Sequence, residues 1–224
     1  MKSILKSMVR KVAPFAFLDP EGDRGIEKRG HRGYIGGLWD EIGQLQFDFL
    51  LSKGLIPDSF LLDIACGSLR LGVKVIPYLR PSHYLGIEKE RGLVQAGLEK
   101  ELDQKIREEK QPNIVISDSF EFEKLEQKAD FAMAQSLFTH LPPNLINLCF
   151  KRLYPYLEND GVFYATYLKR ERKIRNPKTP HDHGSFAYTR EEMIDFGERN
   201  DFVANYIGDW NHPRHQVIVE YRKS

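Results

Sequence analysis

Short apolar runs alternate with amphipathic stretches along most of the chain. The runs of strand length before residue 170 are 59–66, 83–88, 113–118, 130–135 and 162–168. Apolar residues recur every three or four positions in the other stretches, which predicts helices at 38–53, 69–79, 92–108 and 143–157. Asn159, Asp160 and Gly161 are expected to close the last of these helices. Strands that alternate with helices predict an α/β fold, a mostly parallel sheet with helices on both faces.

The pattern changes after residue 188. Thr189 and Glu192 have the spacing of a capping box, which predicts a helix that ends near Asn200. Two further strands, 202–206 and 216–221, follow without a helical stretch between them, so they are predicted to be antiparallel. Together, these strands predict a Rossmann-like seven-stranded sheet, mostly parallel with an antiparallel last strand. The sequence shows no internal repeat, so residues 31–224 are predicted to form one domain.

Residues 1–30 form a basic amphipathic arm ahead of that domain. Its apolar residues recur at helical spacing, while Lys2, Lys6, Arg10 and Lys11 interrupt every apolar stretch. Neither a signal peptide nor a membrane-spanning helix is therefore predicted. Residues 1–20 have two interpretations. They make a weak contact with a membrane surface, or they pack on their own domain or on a partner subunit.

Composition and charge narrow the classes of function. The chain has 33 Lys and Arg against 32 Asp and Glu, a net charge of +1, which gives no argument for a nucleic-acid partner, and none is predicted. Hydrophobic residues make up 41%, as expected of a soluble globular domain. Cys66 and Cys149 are the only cysteines and cannot form a disulfide framework, so a reducing, cytoplasmic location is expected.

The turn after the first strand and the end of the second strand carry the strongest functional signal. The turn reads DIACGSLRLG over residues 63–72, and its small residues let backbone N–H groups approach a ligand. Glu88 ends the next strand, 21 residues beyond Gly67 (88 − 67), where a carboxylate can accept both hydroxyls of an adenosine ribose. A turn and a carboxylate in this strand–helix context predict a nucleotide-containing cofactor.

Three segments resemble one family. LLDIACGSLRLG, YLGIE and AQSLFTHLPPNLINLCFKRLYPYLENDGVFYATYL are similar to class I S-adenosylmethionine-dependent methyltransferases, in the branch that acts on small molecules. The resemblance covers about residues 30–221, so 31–224 would be the methyltransferase domain. It implies S-adenosyl-L-methionine as cofactor and methyl transfer to a small-molecule acceptor. Ala65 and Leu69 stand where the family usually has glycine, and Ala65 is expected to be tolerated if its φ is negative.

The resemblance also implies positions for the cofactor. The residues expected beside its amino-acid moiety are Ala65, Gly67 and Ser68. Glu88 would hold the ribose, Asp118 and Ser119 would lie by the adenine, and Gln135 and Ser136 would border the methionine end and the methyl group. Asp63 is expected either to touch the cofactor or only to orient the turn. No metal site is predicted, because His181 and His183 lack a third ligand at a known spacing and are typical of a polar loop.

The acceptor side of the site rests on weaker signals. His140 follows the fourth strand and could serve as a general base, which the reaction needs only for a hydroxyl acceptor; alternatively it caps or packs the next helix. Residues 31–39 resemble a lid, in which Tyr34 and Trp39 either close over the methyl donor or pack on the sheet. Residues 169–178 carry six cations and one anion, which suggests an anionic acceptor unless the stretch is a solvated loop.

Two other classes of function remain open at this point. A non-catalytic module that binds S-adenosylmethionine would carry the same cofactor residues. A nucleotide-dependent oxidoreductase would share the fold, but the sequence lacks the G-x-G-x-x-G pattern.

Overall fold

A single twisted sheet forms the centre of the computed structural model, which describes residues 20–224. Its strands are β1 Leu61–Ile64, β2 Tyr84–Glu88, β3 Asn113–Ile116, β4 Ala129–Ala134, β5 Leu157–Lys169, β6 Ala187–Tyr188, β7 Phe202–Asp209 and β8 Gln216–Lys223. The spatial order is β3-β2-β1-β4-β5-β8-β7, with β6 beside β5. Only β8 runs antiparallel to its neighbours β5 and β7. The predicted α/β fold is confirmed, including the antiparallel last strand.

Helices cover both faces of the sheet. They are α1 Gly22–Arg29, α2 His31–Tyr34, α3 Trp39–Ser52, α4 Gly72–Tyr78, α5 Arg91–Ala96, α6 Gln104–Lys110, α7 Pro143–Leu153 and α8 Arg190–Glu198. Adjacent residues of β1 show why the central strands are rich in apolar residues. Leu61 packs into one hydrophobic cluster and Leu62 into the other, and both are fully buried. A strand buried on both faces needs apolar side chains on both.

The predicted helix at 92–108 is divided in the structure. It becomes α5, a π-helical turn at Gly97–Glu101 and α6, whose first turn is capped by the Asp103 carboxylate. The break occurs where the helix meets the turn after β1. A Cβ on Gly97 would lie 2.7 Å from the carbonyl of Ser68, so only glycine permits this approach.

The prediction for residues 143–161 is wrong at its carboxyl end. α7 ends at Leu153, and a 3₁₀ turn over Tyr154–Tyr156 contains Pro155, which cannot continue an α-helix. Asn159, Asp160 and Gly161 do not close a helix but belong to β5.

The end of the chain matches its sequence signals more closely. The capping box is present: Glu192 N–H donates to Thr189 Oγ1 at 3.2 Å, and Thr189 N–H donates to Glu192 Oε2 at 3.0 Å. β6 was not predicted, and its two residues extend the sheet beside Leu168 and Lys169 of β5.

The predicted arm is described only from residue 20. Residues 1–19, with their predicted amphipathic helix and its membrane or subunit contact, lie outside the described residues. Residues 22–29 form α1. Between residues 20 and 224, no helix combines the length and the apolar character needed to cross a membrane.

Candidate functional site

A cavity of about 670 Å³ opens at the carboxyl edge of the parallel strands. Residues that follow β1, β2, β3 and β4 line one side of it, and residues 34–36 and part of the 180–185 loop line the other. Ligands of open α/β sheets bind at this edge, and the volume is typical of a site for a small molecule.

The turn after β1 contributes Ala65 and Gly67 to the cavity wall. Gly67 has φ +57°, and a Cβ there would lie 3.0 Å from Cγ2 of Ile35. The condition under which Ala65 was expected to be tolerated, a negative φ, is not met, because its φ is +61°. Leu69 also has a positive φ, +67°. The two positions that lack the family's glycines therefore keep a glycine-type backbone, at a cost of about 1–2 kcal/mol each.

Ser68 does not lie where it was expected. It is absent from the lining of the cavity, and its side chain is fully buried. Within residues 20–224 its hydroxyl has no hydrogen-bond partner. Its backbone carbonyl packs against Gly97, and the residue is closed off from the cavity, so the geometry does not support its expected contact with a cofactor.

Glu88 lines the cavity at the end of β2 and is held by backbone groups. Its Oε2 accepts from Gly67 N–H at 2.9 Å, and its Oε1 accepts from the N–H groups of Lys89 and Glu90 at 2.9 and 3.0 Å. Burial raises the pKa of Glu88, and these three hydrogen bonds oppose the rise. The bond to Gly67 ties the end of β2 to the turn after β1, so the carboxylate has one fixed position.

The segment after β3 meets the cavity with Asp118 but not with Ser119. Ser119 is not among the lining residues, and its carbonyl accepts from Arg152 at 2.8 Å. Ser117 and Phe120 line the cavity instead. Sequence reasoning missed both, although an aromatic residue that follows a polar strand end is a usable signal.

A buried polar group lies below the turn, centred on Arg70. Its guanidinium donates to Gly37 O at 3.1 Å and to Gln135 Oε1. Arg70 and Gln46 both line the cavity and are 7% and 3% exposed. Within residues 20–224, Nε of Arg70 and Oε1 of Gln46 have no hydrogen-bond partner. Buried polar atoms without partners are rare, so this donor and this acceptor are available to a ligand.

Sequence reasoning missed both of these residues. Arg70 is a charged side chain in an otherwise apolar turn. Gln46 lies on the apolar face of α3, one helical turn after the buried Ile42. A polar residue on such a face was the signal that could have found it.

Asp63 lines the cavity and is 4% exposed. It accepts a hydrogen bond from the Tyr84 hydroxyl at 2.8 Å. Burial raises its pKa to about 7, although the Tyr84 bond and the charge of Arg70 oppose the rise. Asp63 is therefore placed both to orient the turn and to meet a ligand.

Gln135 and Ser136 directly follow β4 and line the cavity together. Nε2 of Gln135 donates to the Ser136 hydroxyl at 2.6 Å. Ser136 Oγ also accepts from Gln216 at 2.7 Å, and Ser136 N–H donates to Thr166 Oγ1 at 2.8 Å. These bonds connect β4 to β5 and β8, so both side chains have fixed positions.

Two segments far apart in sequence close the cavity. We call residues 20–37 the strap and residues 180–185 the loop. Asp182 in the loop accepts from the Tyr34 hydroxyl and forms an ion pair with Lys89 at 2.5 Å. Glu21 accepts from Asp182 N–H at 2.8 Å. Tyr34 is thus part of a lid, as one interpretation predicted, whereas Trp39 does not line the cavity and packs under the Arg32 guanidinium.

The basic stretch at 169–178 does not reach the cavity, since none of its residues lines it. Lys169 pairs with Glu171 at 3.1 Å, and Lys173 pairs with Glu192 at 3.2 Å. The predicted anion site on this stretch is therefore not supported. Arg214, in contrast, does line the cavity and donates to Gly36 O. In the part of the chain that the structure describes, no three His, Cys, Asp or Glu side chains form a metal site.

Comparison with known proteins identifies the fold. No family model and no curated protein matches the sequence. Solved structures do match. The magnesium protoporphyrin IX methyltransferase ChlM from Synechocystis PCC 6803, with bound SAM, is 14% identical over 98% of this chain and 97% of its own, with a TM-score of 0.60. The CcbJ methyltransferase from Streptomyces caelestis is 13% identical over 81% of this chain and 89% of its own, with a TM-score of 0.62.

A third similar structure is the glycopeptide N-methyltransferase MtfA, 13% identical over 83% of this chain and 90% of its own, with a TM-score of 0.61. Identities this low show a common fold only. The fold is that of the S-adenosylmethionine-dependent methyltransferases, as the resemblance in sequence implied.

Proposed function

We propose that the protein transfers a methyl group from S-adenosylmethionine to a small-molecule acceptor. The observation that carries this proposal is the Glu88 carboxylate, which lines the cavity and is fixed by the N–H of Gly67. A carboxylate oxygen has room for more than one donor, so Glu88 can also accept the two hydroxyls of a ribose. The fold and the position of the cavity at the carboxyl edge of the sheet support the same cofactor.

The unpartnered polar atoms of the cavity fit the other end of this cofactor. Nε of Arg70 is a donor with positive charge, and Oε1 of Gln46 is an acceptor. A free amino-acid group presents a carboxylate and an ammonium, which match these two atoms in type and charge. Phe120 and Asp118, beyond Glu88, would hold the adenine, while Gln135 and Ser136 would border the methyl group.

The protein has to position the two reactants, and it does not have to activate the methyl group. S-adenosylmethionine supplies a methyl group on a positively charged sulfur, which is already a good leaving group. The fixed residues at the strand ends hold the two reactants in line, and such alignment contributes most of the rate in a displacement of this kind. The strap and the loop cover the cavity and limit the access of water.

Calorimetry with S-adenosylhomocysteine and with NAD tests the proposed cofactor. We expect S-adenosylhomocysteine to bind and NAD not to bind. Glu88→Ala should weaken binding about 100-fold or more, because hydrogen bonds to a charged acceptor contribute about 1.5–3 kcal/mol each. Glu88→Gln should have a smaller effect, since one acceptor oxygen remains.

Glu109→Gln is the matched control, because Glu109 is exposed and lies outside the cavity. Circular dichroism of each variant separates lost binding from lost folding. Unchanged affinity in a folded Glu88→Ala protein, or a preference for NAD, would overturn the assignment.

A further inference from the structure

His140 is held more firmly than a side chain that only packs beside a helix. It follows the 3₁₀ turn at Leu137–Thr139 and lines the cavity. The loop runs along it, since His181 N–H donates to His140 O at 3.2 Å and Phe186 N–H donates to Thr139 O at 2.8 Å. Its ring nitrogen Nδ1 lies 2.9 Å from Gly184 O. Three hydrogen bonds therefore fix the backbone and the ring.

The bond to Gly184 determines which ring nitrogen carries the proton. A carbonyl oxygen can only accept, so Nδ1 must donate, and in the neutral ring Nε2 then has a free lone pair. Burial lowers the pKa of His140, which keeps the ring neutral at physiological pH. The side chain is therefore a base that is ready to accept a proton from the cavity.

The cavity wall near His140 includes several leucine side chains, together with Asp182 and His183. Leu137 and Leu141 flank it in the chain, and Leu145 of α7 and Leu168 of β5 complete this part of the lining. Leucine side chains give no hydrogen bonds to an acceptor and favour an apolar body. The basic side chains of residues 169–178, which would attract an anion, lie outside the cavity.

We infer that the acceptor is a hydroxyl group on an apolar small molecule, and that His140 is the catalytic base that removes its proton. This inference rests on the proposed function. As the hydroxyl oxygen bonds to the methyl carbon, its proton passes to Nε2 of His140. The electron pair of the breaking carbon–sulfur bond stays on the sulfur, which loses its positive charge. A neutral amine acceptor would not need this base, because its lone pair is already free.

The tautomer of the His140 ring can be determined without any methyl acceptor. Nitrogen-15 NMR of the histidine side chains, assigned with His140→Gln, distinguishes the two tautomers. We expect the proton on Nδ1 and an unprotonated Nε2 with a pKa below that of a free histidine. The groups that affect this titration are Asp182, which raises the pKa, and His183, which lowers it. A proton on Nε2 in the neutral ring would overturn the assignment of the base.

The acceptor is tested by incubating the full chain with methyl-labelled donor and a fractionated cell extract, and by identifying the labelled atom by mass spectrometry. A methyl group on oxygen supports the inference, and one on nitrogen or carbon overturns it while leaving the proposed function intact. Failure to bind S-adenosylhomocysteine would instead overturn the proposed function. With the labelled acceptor, His140→Gln should lower kcat about 100- to 10,000-fold and remove the rise of kcat with pH.

Donor affinity in His140→Gln should equal that of the wild type. A variant that keeps its kcat would show that His140 has only a packing role.

Discussion

The two sides of the cavity are built in different ways. On the donor side, Glu88 and the turn after β1 are joined by backbone N–H groups that lie at most 21 residues from the carboxylate. On the opposite side, the strap and the loop meet through side chains separated by 148 and 161 positions in the chain. The first arrangement follows from the ends of neighbouring strands. The second depends on two segments that are far apart in the chain and come together only in the tertiary structure.

The two sides therefore have different roles. The donor side, which we call the rigid side, binds the ligand, and the strap and the loop, which we call the closing side, cover the cavity. The rigid side presents fixed donors and acceptors, so it can bind a ligand without moving. The closing side consists of polar contacts, several with exposed partners such as Lys89, whose side chain is 42% exposed. Segments held in this way open more readily than core strands.

The largest expected effect is the loss of folding stability caused by the buried carboxylate of Asp63 on the rigid side. Asp63 has a pKa of about 7 in the folded protein, raised by burial from an ordinary value near 4. The folded state holds this proton more tightly than the unfolded state does, so stability from this group is present below pH 4 and is lost as pH rises through 7. Three units correspond to about 4 kcal/mol.

Asp63→Asn should therefore gain unfolding free energy relative to the wild type as pH rises from 5 to 8. Urea denaturation at four pH values measures this difference. Asp48→Asn, at an exposed position of α3, is the control and should show no such trend. Parallel pH profiles of Asp63→Asn and the wild type would show that the carboxylate carries no such cost.

An intermediate effect is expected at the junction of strap and loop. The contacts of Asp182 with Lys89 and Tyr34 outweigh its burial and hold its pKa below the ordinary value, so it stays ionised. Asp182→Asn should destabilise the junction by about 1 kcal/mol, because the Lys89 partner is partly exposed. Limited proteolysis should then cut the strap faster, while the melting temperature changes little.

Asp209→Asn, outside the cavity, is the control for that experiment. Proteolysis of the strap at the wild-type rate in Asp182→Asn would mean that apolar packing, such as that of Tyr34, closes the cavity instead.

The smallest effect is expected in the turn after β1. Ala65→Gly removes a side chain from a backbone with φ +61°. The relief of about 1–2 kcal/mol is offset by the greater freedom of glycine in the unfolded chain, so a net gain of up to about 1 kcal/mol is expected. Thermal denaturation measures it. Ala96→Gly is the matched control, because Ala96 has φ −61° in α5 and should lose stability.

Sequence patterns predicted the rigid side well. Apolar runs located the strands, and the turn after β1 and Glu88, which the sequence assigned to one site, both line the cavity. They did not reveal Arg70 or Gln46 as members of the site, since a single polar residue in an apolar stretch has no spacing to another. The strap–loop junction was equally hidden, because no local pattern relates Glu21 to Asp182.

The predicted limits of helices and strands were wrong where tertiary packing overrides the local preference of the sequence. The helix at 92–108 was interrupted by the close approach of Gly97 to Ser68, a contact between segments about 30 residues apart. Residues 159–161 look like a turn by composition, yet β5 runs through them, as an irregularity between Leu157 and Val162, which both pair with β4.

Ala65, Gly67 and Leu69 all have positive φ values. The turn after β1 is therefore defined by its backbone conformation and not by glycine at each of these positions. Two of its three left-handed positions are occupied by residues that a glycine-based signature would reject. A homologue could replace either residue, or restore glycine, and the path of the backbone would stay the same. Sequence divergence can therefore remove the glycine motif of such a turn while the backbone conformation of the turn is conserved.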